Sequence, residues 1–83
     1  MKKLTIYTTD YCPFCVRAKA LLERKELKFD EVDVSNPDDR MDMMKKADGR
    51  RSVPQIFIGD YHVGGCDDLY ALDKDGKLDE LVK

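Results

Sequence analysis

Residues 4–26, LTIYTTDYCPFCVRAKALLERKE, place a pair of cysteines between two kinds of secondary structure. Residues 4–8 have the β-branched and aromatic side chains typical of a strand. Pro13 then fits the first position of a helix, where no N–H is needed. Residues 15–26 continue with the helical period, and their apolar stripe consists of Cys15, Ala18, Leu21 and Leu22. The stretch therefore predicts a strand, a turn that carries both cysteines, and a helix that packs on a sheet.

The next segment predicts a second strand and a second helix. Residues 28–34 form a strand of irregular phase, which indicates a bulge or a late start, and their many charges suit an edge strand. Asn36 and Pro37 are a typical N-cap and first helical residue. The apolar stripe of this helix is Met41, Met44 and Ala47, which we interpret as core.

The remaining segment predicts a hairpin and a third helix. The strands 55–58 and 61–63 flank Gly59-Asp60, a two-residue turn signal. A helix then begins near residue 66 or 67, and Gly76 breaks it before a last helical turn or two. The order β-α-β-α-β-β-α indicates an α/β fold, because a strand–helix–strand unit gives a right-handed parallel pair. We expect a four-stranded mixed sheet flanked by helices.

Composition limits the classes of protein. We assign the 83 residues to one domain, 1–83. The 15 Lys and Arg nearly balance the 17 Asp and Glu, which argues against a nucleic-acid binder. No apolar run approaches the ~18 residues of a membrane span, and polar residues interrupt any N-terminal export signal. We therefore expect a cytoplasmic protein, in which clustered thiols are catalytic or metal-binding.

The two cysteines of Cys12-Pro13-Phe14-Cys15 are expected to differ. Pro13 as first helical residue puts Cys12 at the N-cap, where its sulfur can accept hydrogen bonds from free backbone N–H groups. The helix macrodipole favours a thiolate there, and cysteines in such places have pKa values of roughly 3.5–7.5 in place of ~8.5. Cys15 lies in the apolar stripe and should be more buried and less ionised. The pattern predicts an attacking thiolate and a resolving thiol.

Zinc is an alternative partner for these thiols, because Cys12, Cys15, His62 and Cys66 could supply three sulfurs and one imidazole. A proline-capped helix is unusual in such sites, and His62 follows a strand pattern next to two glycines. We therefore expect no metal, a strand position for His62 and a passive thiol at Cys66.

Two further segments suit a peptide-like ligand. In Ser52-Val53-Pro54, a cis bond before the proline would turn the Val53 backbone towards a substrate, although a proline there can also simply open a strand. Gly64-Gly65 permits close approach of a ligand, and the following helix start can hold a carboxylate. Asp67 and Asp68 either cap that helix or meet an ammonium group. Glutathione, which has one amino group and two carboxylates, has matching chemistry.

Together the three segments resemble the glutaredoxin family, and in particular its small bacterial dithiol members. The resemblance covers the whole chain and implies the thioredoxin fold, with the second strand at one edge and the first and third in the centre. It implies Cys12 as the nucleophile and Cys15 as the resolving thiol. The positions it implies for binding glutathione are Phe14, Arg40, Ser52, Val53, Pro54, Gly65, Cys66 and Asp67. Phe14 and Thr9 depart from the family's usual tyrosine and lysine.

The resemblance implies a glutathione-dependent thiol–disulfide oxidoreductase that uses Cys12 on glutathione mixed disulfides and both cysteines on protein disulfides. Glutathione would be the reducing co-substrate, with no permanently bound cofactor. The expected partners are glutathionylated or disulfide-bearing proteins, of which ribonucleotide reductase is one candidate; we expect a monomer that binds neither nucleic acid nor membrane. Two alternatives stay open: an electron donor fed by thioredoxin reductase, and an iron–sulfur cluster carrier, although Pro13 crowds the space that a cluster needs.

Overall fold

Four strands form one mixed sheet in the computed structural model, which describes residues 2–83. The strands are β1 (Leu4–Thr8), β2 (Asp30–Asp33), β3 (Gln55–Ile58) and β4 (Tyr61–Gly64). Their order across the sheet is β2-β1-β3-β4. β1 is parallel to β2 and antiparallel to β3, and β3 is antiparallel to β4. This confirms the predicted mixed sheet, with β2 at one edge and β1 and β3 in the centre.

Four helices flank the sheet: α1 (Pro13–Arg24), α2 (Pro37–Lys46), α3 (Cys66–Lys74) and α4 (Lys77–Val82). The C-terminal part agrees with the prediction of a helix that Gly76 breaks before a last helical turn or two. Gly76, at φ +75°, separates α3 from α4, and glycine adopts this left-handed backbone without a steric penalty. None of the helices in residues 2–83 is long and apolar enough to cross a membrane.

The core lies on both faces of the sheet because alternate residues of each strand point to opposite sides. On one face, Leu4, Ile6 and Ile56 pack against α1, α3 and α4 in the larger cluster. On the other face, Tyr7 and Phe57 pack with the smaller cluster that includes α2. The predicted α1 stripe is confirmed, since all four of its residues are buried. The sheet is therefore held between α2 and the other three helices.

The apolar stripe of α2 differs from the prediction. Met43 is 0% exposed and Ala47 is buried beside it, whereas Met41 is 58% exposed. Residues four apart share a helix face, so Met43 and Ala47 form the contact with the sheet, and Met44 packs only at its margin. Three methionines within four residues allow more than one helix face to be the apolar one. Packing against Tyr7 and Phe57 determines which face is buried.

β2 is shorter than predicted and starts late, at Asp30, which accounts for the irregular phase of residues 28–34. All four of its side chains are exposed. The register irregularity of the sheet lies instead between β3 and β4, at Ile56 and Phe57. This shift sets which β4 side chains stand opposite β3, and it determines the surroundings of His62.

Candidate functional site

Cys12 is the N-cap of α1, as predicted. Its backbone is extended, and its sulfur accepts a hydrogen bond from the Cys15 N–H at 3.1 Å. The Cys12 thiol in turn donates to the Val53 carbonyl oxygen, with 3.7 Å between sulfur and oxygen. The first turn of α1 contains no acidic residue. The positive end of this helix is therefore directed at one half-buried sulfur atom.

Cys15 has a different environment. It is 2% exposed, and burial, assisted by a side-chain hydrogen bond to Cys12, raises its pKa to about 12. A backbone hydrogen bond from Thr9 and the charge of Lys19 oppose this rise only in part. Cys12 and Cys15 are both free thiols, and Cys15 holds its proton at neutral pH.

A groove of about 370 Å³ is lined by Val53, whose carbonyl oxygen accepts the hydrogen bond of the Cys12 thiol. Phe14 of α1 contributes to its wall, and Ser52, Val53 and Pro54 form another side, with the Val53–Pro54 peptide bond in the cis form. The start of α3 closes the groove with Gly65, Cys66 and Asp67. The three predicted segments, which are far apart in the chain, thus meet around one cavity.

Arg40 does not line this groove. It lies on α2, and its Nε donates to the Arg51 carbonyl oxygen at 3.0 Å. Arg50, which the sequence interpretation left out, does line the groove. Its guanidinium lies 3.6 Å from the carboxylate of Asp68. The sequence signal that could have found it is the pair of adjacent arginines directly before Ser52.

The start of α3 is stabilised by a hydrogen bond from its N-cap to a side chain of its first turn. Its N-cap, Gly65, has no side chain, and the Asp68 carboxylate accepts a hydrogen bond from the Gly65 N–H at 2.9 Å. Gly64 has φ +116°, and a Cβ there would collide with the Asp68 carboxylate, so this position requires glycine. Cys66 is 5% exposed, and burial raises the pKa of its thiol. These contacts leave Asp67 as the carboxylate at the groove that does not cap the helix.

His62 lies in β4, as predicted, and is not joined to the thiols. Its Nε2 lies 2.7 Å from Oε1 of Gln55, and its ring stacks on Phe57 with 4.7 Å between centroids. Among residues 2–83, no group of three or more His, Cys, Asp or Glu side chains is arranged to hold a metal ion. The imidazole is therefore hydrogen-bonded to Gln55 and not to a thiol.

Comparison with known proteins decides the family. The glutaredoxin family model matches residues 4–63. The chain belongs to the glutaredoxin family. It is 51% identical to glutaredoxin 3 of Escherichia coli K12 over 83 residues, which cover the whole of both chains. The solution structure of the Brucella melitensis glutaredoxin superimposes with a TM-score of 0.88 at 56% identity, over 100% of this chain and 90% of that one.

A buckwheat glutaredoxin–glutathione complex superimposes with a TM-score of 0.86 at 28% identity, over 98% of this chain and 76% of that one. The predicted thioredoxin fold and family are confirmed by these relatives. The family catalyses thiol–disulfide oxidoreduction, and Cys12 and Cys15 are the redox pair of this glutaredoxin.

Arg17 of this glutaredoxin lies next to Phe14, one of the residues that line the groove. Its guanidinium carbon lies 5.9 Å from the centroid of the Phe14 ring and 5.7 Å from that of Tyr70, both within the range of cation–π attraction. Its charge also opposes the rise in the pKa of Cys66. Arg17 thus brings a cation beside Phe14, which lines the groove.

Proposed function

We propose that this glutaredoxin is a glutathione-dependent oxidoreductase that reduces glutathione mixed disulfides and protein disulfides. The observation that supports this best is the composition of the groove that Val53 lines. Arg50 supplies a cation, Asp67 supplies a carboxylate, and the Val53 backbone supplies main-chain hydrogen-bonding groups. Glutathione offers the complementary carboxylates, ammonium group and peptide groups along a short extended chain.

Each lining residue has a proposed role in binding glutathione. Val53 pairs through its backbone with the cysteinyl part, in the manner of a short β-strand addition. Asp67 meets the γ-glutamyl ammonium group, while the Cys66 backbone at the start of α3 faces the α-carboxylate. Arg50 faces the glycine carboxylate. Arg40, which lies outside the groove on α2, stays a second proposed cation for that carboxylate.

The remaining positions shape the cavity. Phe14 and Pro54 provide apolar walls, Ser52 precedes the Val53 backbone, and Gly65 leaves room for the ligand to approach the backbone of α3.

The reaction with a glutathione mixed disulfide needs only Cys12. Its thiolate attacks the glutathione sulfur, the substrate thiolate leaves and takes a proton, and Cys12 becomes glutathionylated. A second glutathione thiolate then attacks that sulfur, which releases glutathione disulfide and restores Cys12. The N–H of Cys15, which points at the Cys12 sulfur, stabilises the negative charge when Cys12 acts as leaving group.

The reaction with a protein disulfide also needs Cys15. The Cys12 thiolate attacks one sulfur of the protein disulfide and forms a mixed disulfide with it, while the other sulfur leaves as a thiolate and takes up a proton. Cys15 then loses its proton and attacks the Cys12 sulfur, which releases the protein thiol and leaves a Cys12–Cys15 disulfide for glutathione to reduce. Because burial disfavours the Cys15 thiolate, the loss of this proton is the demanding part of the resolving step.

We propose the cytoplasm as the place of action, because this chemistry needs a supply of reduced glutathione. The proposed partners are glutathionylated and disulfide-bearing proteins, with ribonucleotide reductase as one candidate. We propose that residues 1–83 act as one domain and as a monomer, without a permanently bound cofactor.

Turnover of a glutathione mixed disulfide, coupled to glutathione reductase, tests this proposal. Cys12→Ser should abolish turnover, because no nucleophile remains at the groove. Cys15→Ser is the matched control: it should retain this reaction and lose the reduction of a protein disulfide. Activity of Cys12→Ser equal to the unmodified protein would contradict the mechanism. Rapid reduction by NADPH and thioredoxin reductase, with none by glutathione, would favour the first alternative instead.

A further inference from the structure

A chain of hydrogen bonds links β4 to the segment that forms one side of the groove. Nε2 of His62 lies 2.7 Å from Oε1 of Gln55. Nε2 of Gln55 donates to the Ser52 carbonyl oxygen at 3.0 Å and lies 3.2 Å from the Ser52 hydroxyl. Ser52 is followed directly by Val53 and Pro54. This series of hydrogen bonds therefore reaches the backbone segment that we propose to bind glutathione.

The location of Gln55 makes these bonds important for the local structure. Its side chain is 0% exposed, in a core where buried polar side chains are few. A buried amide that lacks a partner has lost its hydrogen bonds to water without replacement, which destabilises the fold. Gln55 therefore fixes the position of Ser52, and needs His62 to satisfy its own oxygen.

The position of the His62 ring is set by packing. β3 and β4 pair Phe57 with His62 across the register irregularity, and the two rings stack with an interplanar angle of 19°. The Phe57 ring in turn packs edge-to-face against Tyr7, with 5.6 Å between the ring centroids. The imidazole is thereby placed in the plane from which its Nε2 meets Gln55.

The chemistry of the two side chains fixes the direction of the bonds. Oε1 of Gln55 only accepts, so Nε2 of His62 carries the proton in this contact. Burial, together with the positive charge of Arg50, lowers the pKa of His62, so the neutral Nε2–H tautomer is the form present at pH 7. With its oxygen held by His62, the amide presents its NH₂ group to Ser52. Without the His62 N–H donor, either orientation of the Gln55 amide leaves its oxygen or its NH₂ group poorly paired.

We propose that His62 and Gln55 are positioning residues for glutathione, which hold the Ser52–Val53–Pro54 segment so that the Val53 backbone faces the groove. The inference rests on the function proposed above. It assigns these residues an effect on substrate binding, because neither touches the reacting sulfur atoms. The loss of one such hydrogen bond is worth ~0.5–1.5 kcal/mol, or ~2- to 10-fold in affinity.

The variant His62→Phe keeps an aromatic ring for stacking on Phe57 and removes the donor. We expect a rise in KM for a glutathione mixed disulfide of ~2- to 10-fold, with kcat within about twofold of the unmodified protein. His62→Gln returns an N–H donor and should recover part of the loss. Gln55→Met, of similar length, removes both bonds and should raise KM at least as much.

Binding is measured separately by NMR titration of reduced glutathione into Cys12→Ser and into Cys12→Ser combined with His62→Phe. The Kd should rise by the same factor as KM, and the amide signals of Ser52 and Val53 should shift in the unliganded protein. An unchanged KM, with or without a lower Tm, would overturn the inference and leave His62 a structural residue. A fall in kcat at unchanged KM would overturn it as well. Absence of turnover by the unmodified protein would be a failure of the proposed function itself, and this control is run first.

Discussion

Two helix N-termini contribute to the same groove, and they differ in the charges of their first turns. α1 begins with Pro13 and has no acidic residue in its first turn, so its capping acceptor is the Cys12 sulfur. α3 begins after Gly65 and carries two aspartates in its first turn. One of them, Asp68, accepts from the Gly65 N–H and lies beside Arg50.

The difference teaches how two similar helix ends serve different chemistry. The positive end of α1 has no carboxylate to neutralise it, so it remains available to a sulfur anion. At α3, the Asp68 carboxylate already accepts a hydrogen bond from the N-terminal backbone and partly neutralises the positive helix end. The second aspartate, Asp67, lets the same wall of the groove bind a cation as well as an anion. One labelling experiment and three substitutions test this comparison.

The largest expected effect is the difference in reactivity between the two thiols. A pKa of about 12 means that only about one Cys15 side chain in ten thousand is ionised at pH 8, and the thiolate is the reactive form. Iodoacetamide should therefore label Cys12 at least ~100-fold faster than Cys15 between pH 6 and 9, followed by mass spectrometry of the two peptides. Because the shift is upward, Cys15 labelling should grow about tenfold per pH unit and become appreciable only well above pH 9.

Cys12→Ser is the control for that experiment, since it leaves only the buried thiols. Rapid labelling of Cys15 at pH 8 in the otherwise unmodified protein would contradict the distinction between the two sulfurs.

A second change acts on the wall that α3 provides. Gly64→Ala should lower the free energy of unfolding by about 1–3 kcal/mol, because an alanine at positive φ is strained and its Cβ would displace Asp68. Gly65→Ala is the matched control: its Cβ would meet only ordinary contacts, the nearest being the Pro54 oxygen at 3.5 Å, and its effect should stay below about 1 kcal/mol. Urea unfolding measures both, and equal losses would show that the Asp68 contact does not hold the start of α3.

A third change gives α1 the acidic first turn of α3. Phe14→Glu places a carboxylate next to Cys12, and it should slow alkylation of Cys12 at pH 7 by ~2- to 5-fold, which corresponds to 0.3–1 kcal/mol of charge–dipole energy. Phe14→Gln has nearly the same shape without the charge and serves as reference. If the two variants react at one rate, the electrostatics of the helix end do not govern this sulfur.

The smallest expected effect comes from removing a charge from α3. Asp68→Asn keeps an acceptor for the Gly65 N–H but loses the carboxylate, and should destabilise the fold by about 0.3–1 kcal/mol. Its ion pair with Arg50 is exposed and adds little. Asp75→Asn, at the other end of the same helix, should be neutral or slightly stabilising. A loss of stability of the same size in both variants would contradict the dipole argument.

The sequence predicted the α1 end of the site well because its determinants are local. Pro13 sets the start of the helix, and residues three and four apart in the stripe set which thiol is buried. The order of the strands came from the resemblance to the glutaredoxin family, whereas the residues alone predicted a parallel strand pair and a hairpin in one mixed sheet. Cys12 and Cys15 therefore lie where their spacing indicates.

The parts that the sequence did not predict depend on contacts between distant segments. Arg50 enters the groove because the segment between α2 and β3 passes the start of α3; the adjacent arginines before Ser52 indicate a cation near this segment but not which of the two lines the groove. The bond between Gln55 and His62 depends on the shifted register of β3 and β4. The burial of Met43 in place of Met41 is decided by the sheet that α2 covers.

β2, with the sequence Asp-Glu-Val-Asp, has a consequence for how the molecule meets its own copies. An edge strand exposes unpaired backbone groups that can pair with a strand of another chain. Here all four side chains are exposed, and three of them are carboxylates. Alignment of two such edges would bring six carboxylates together and strip them of water, which disfavours the pairing. The charges that suit β2 to an edge position thus also act against fibrous self-association along this edge at high protein concentration.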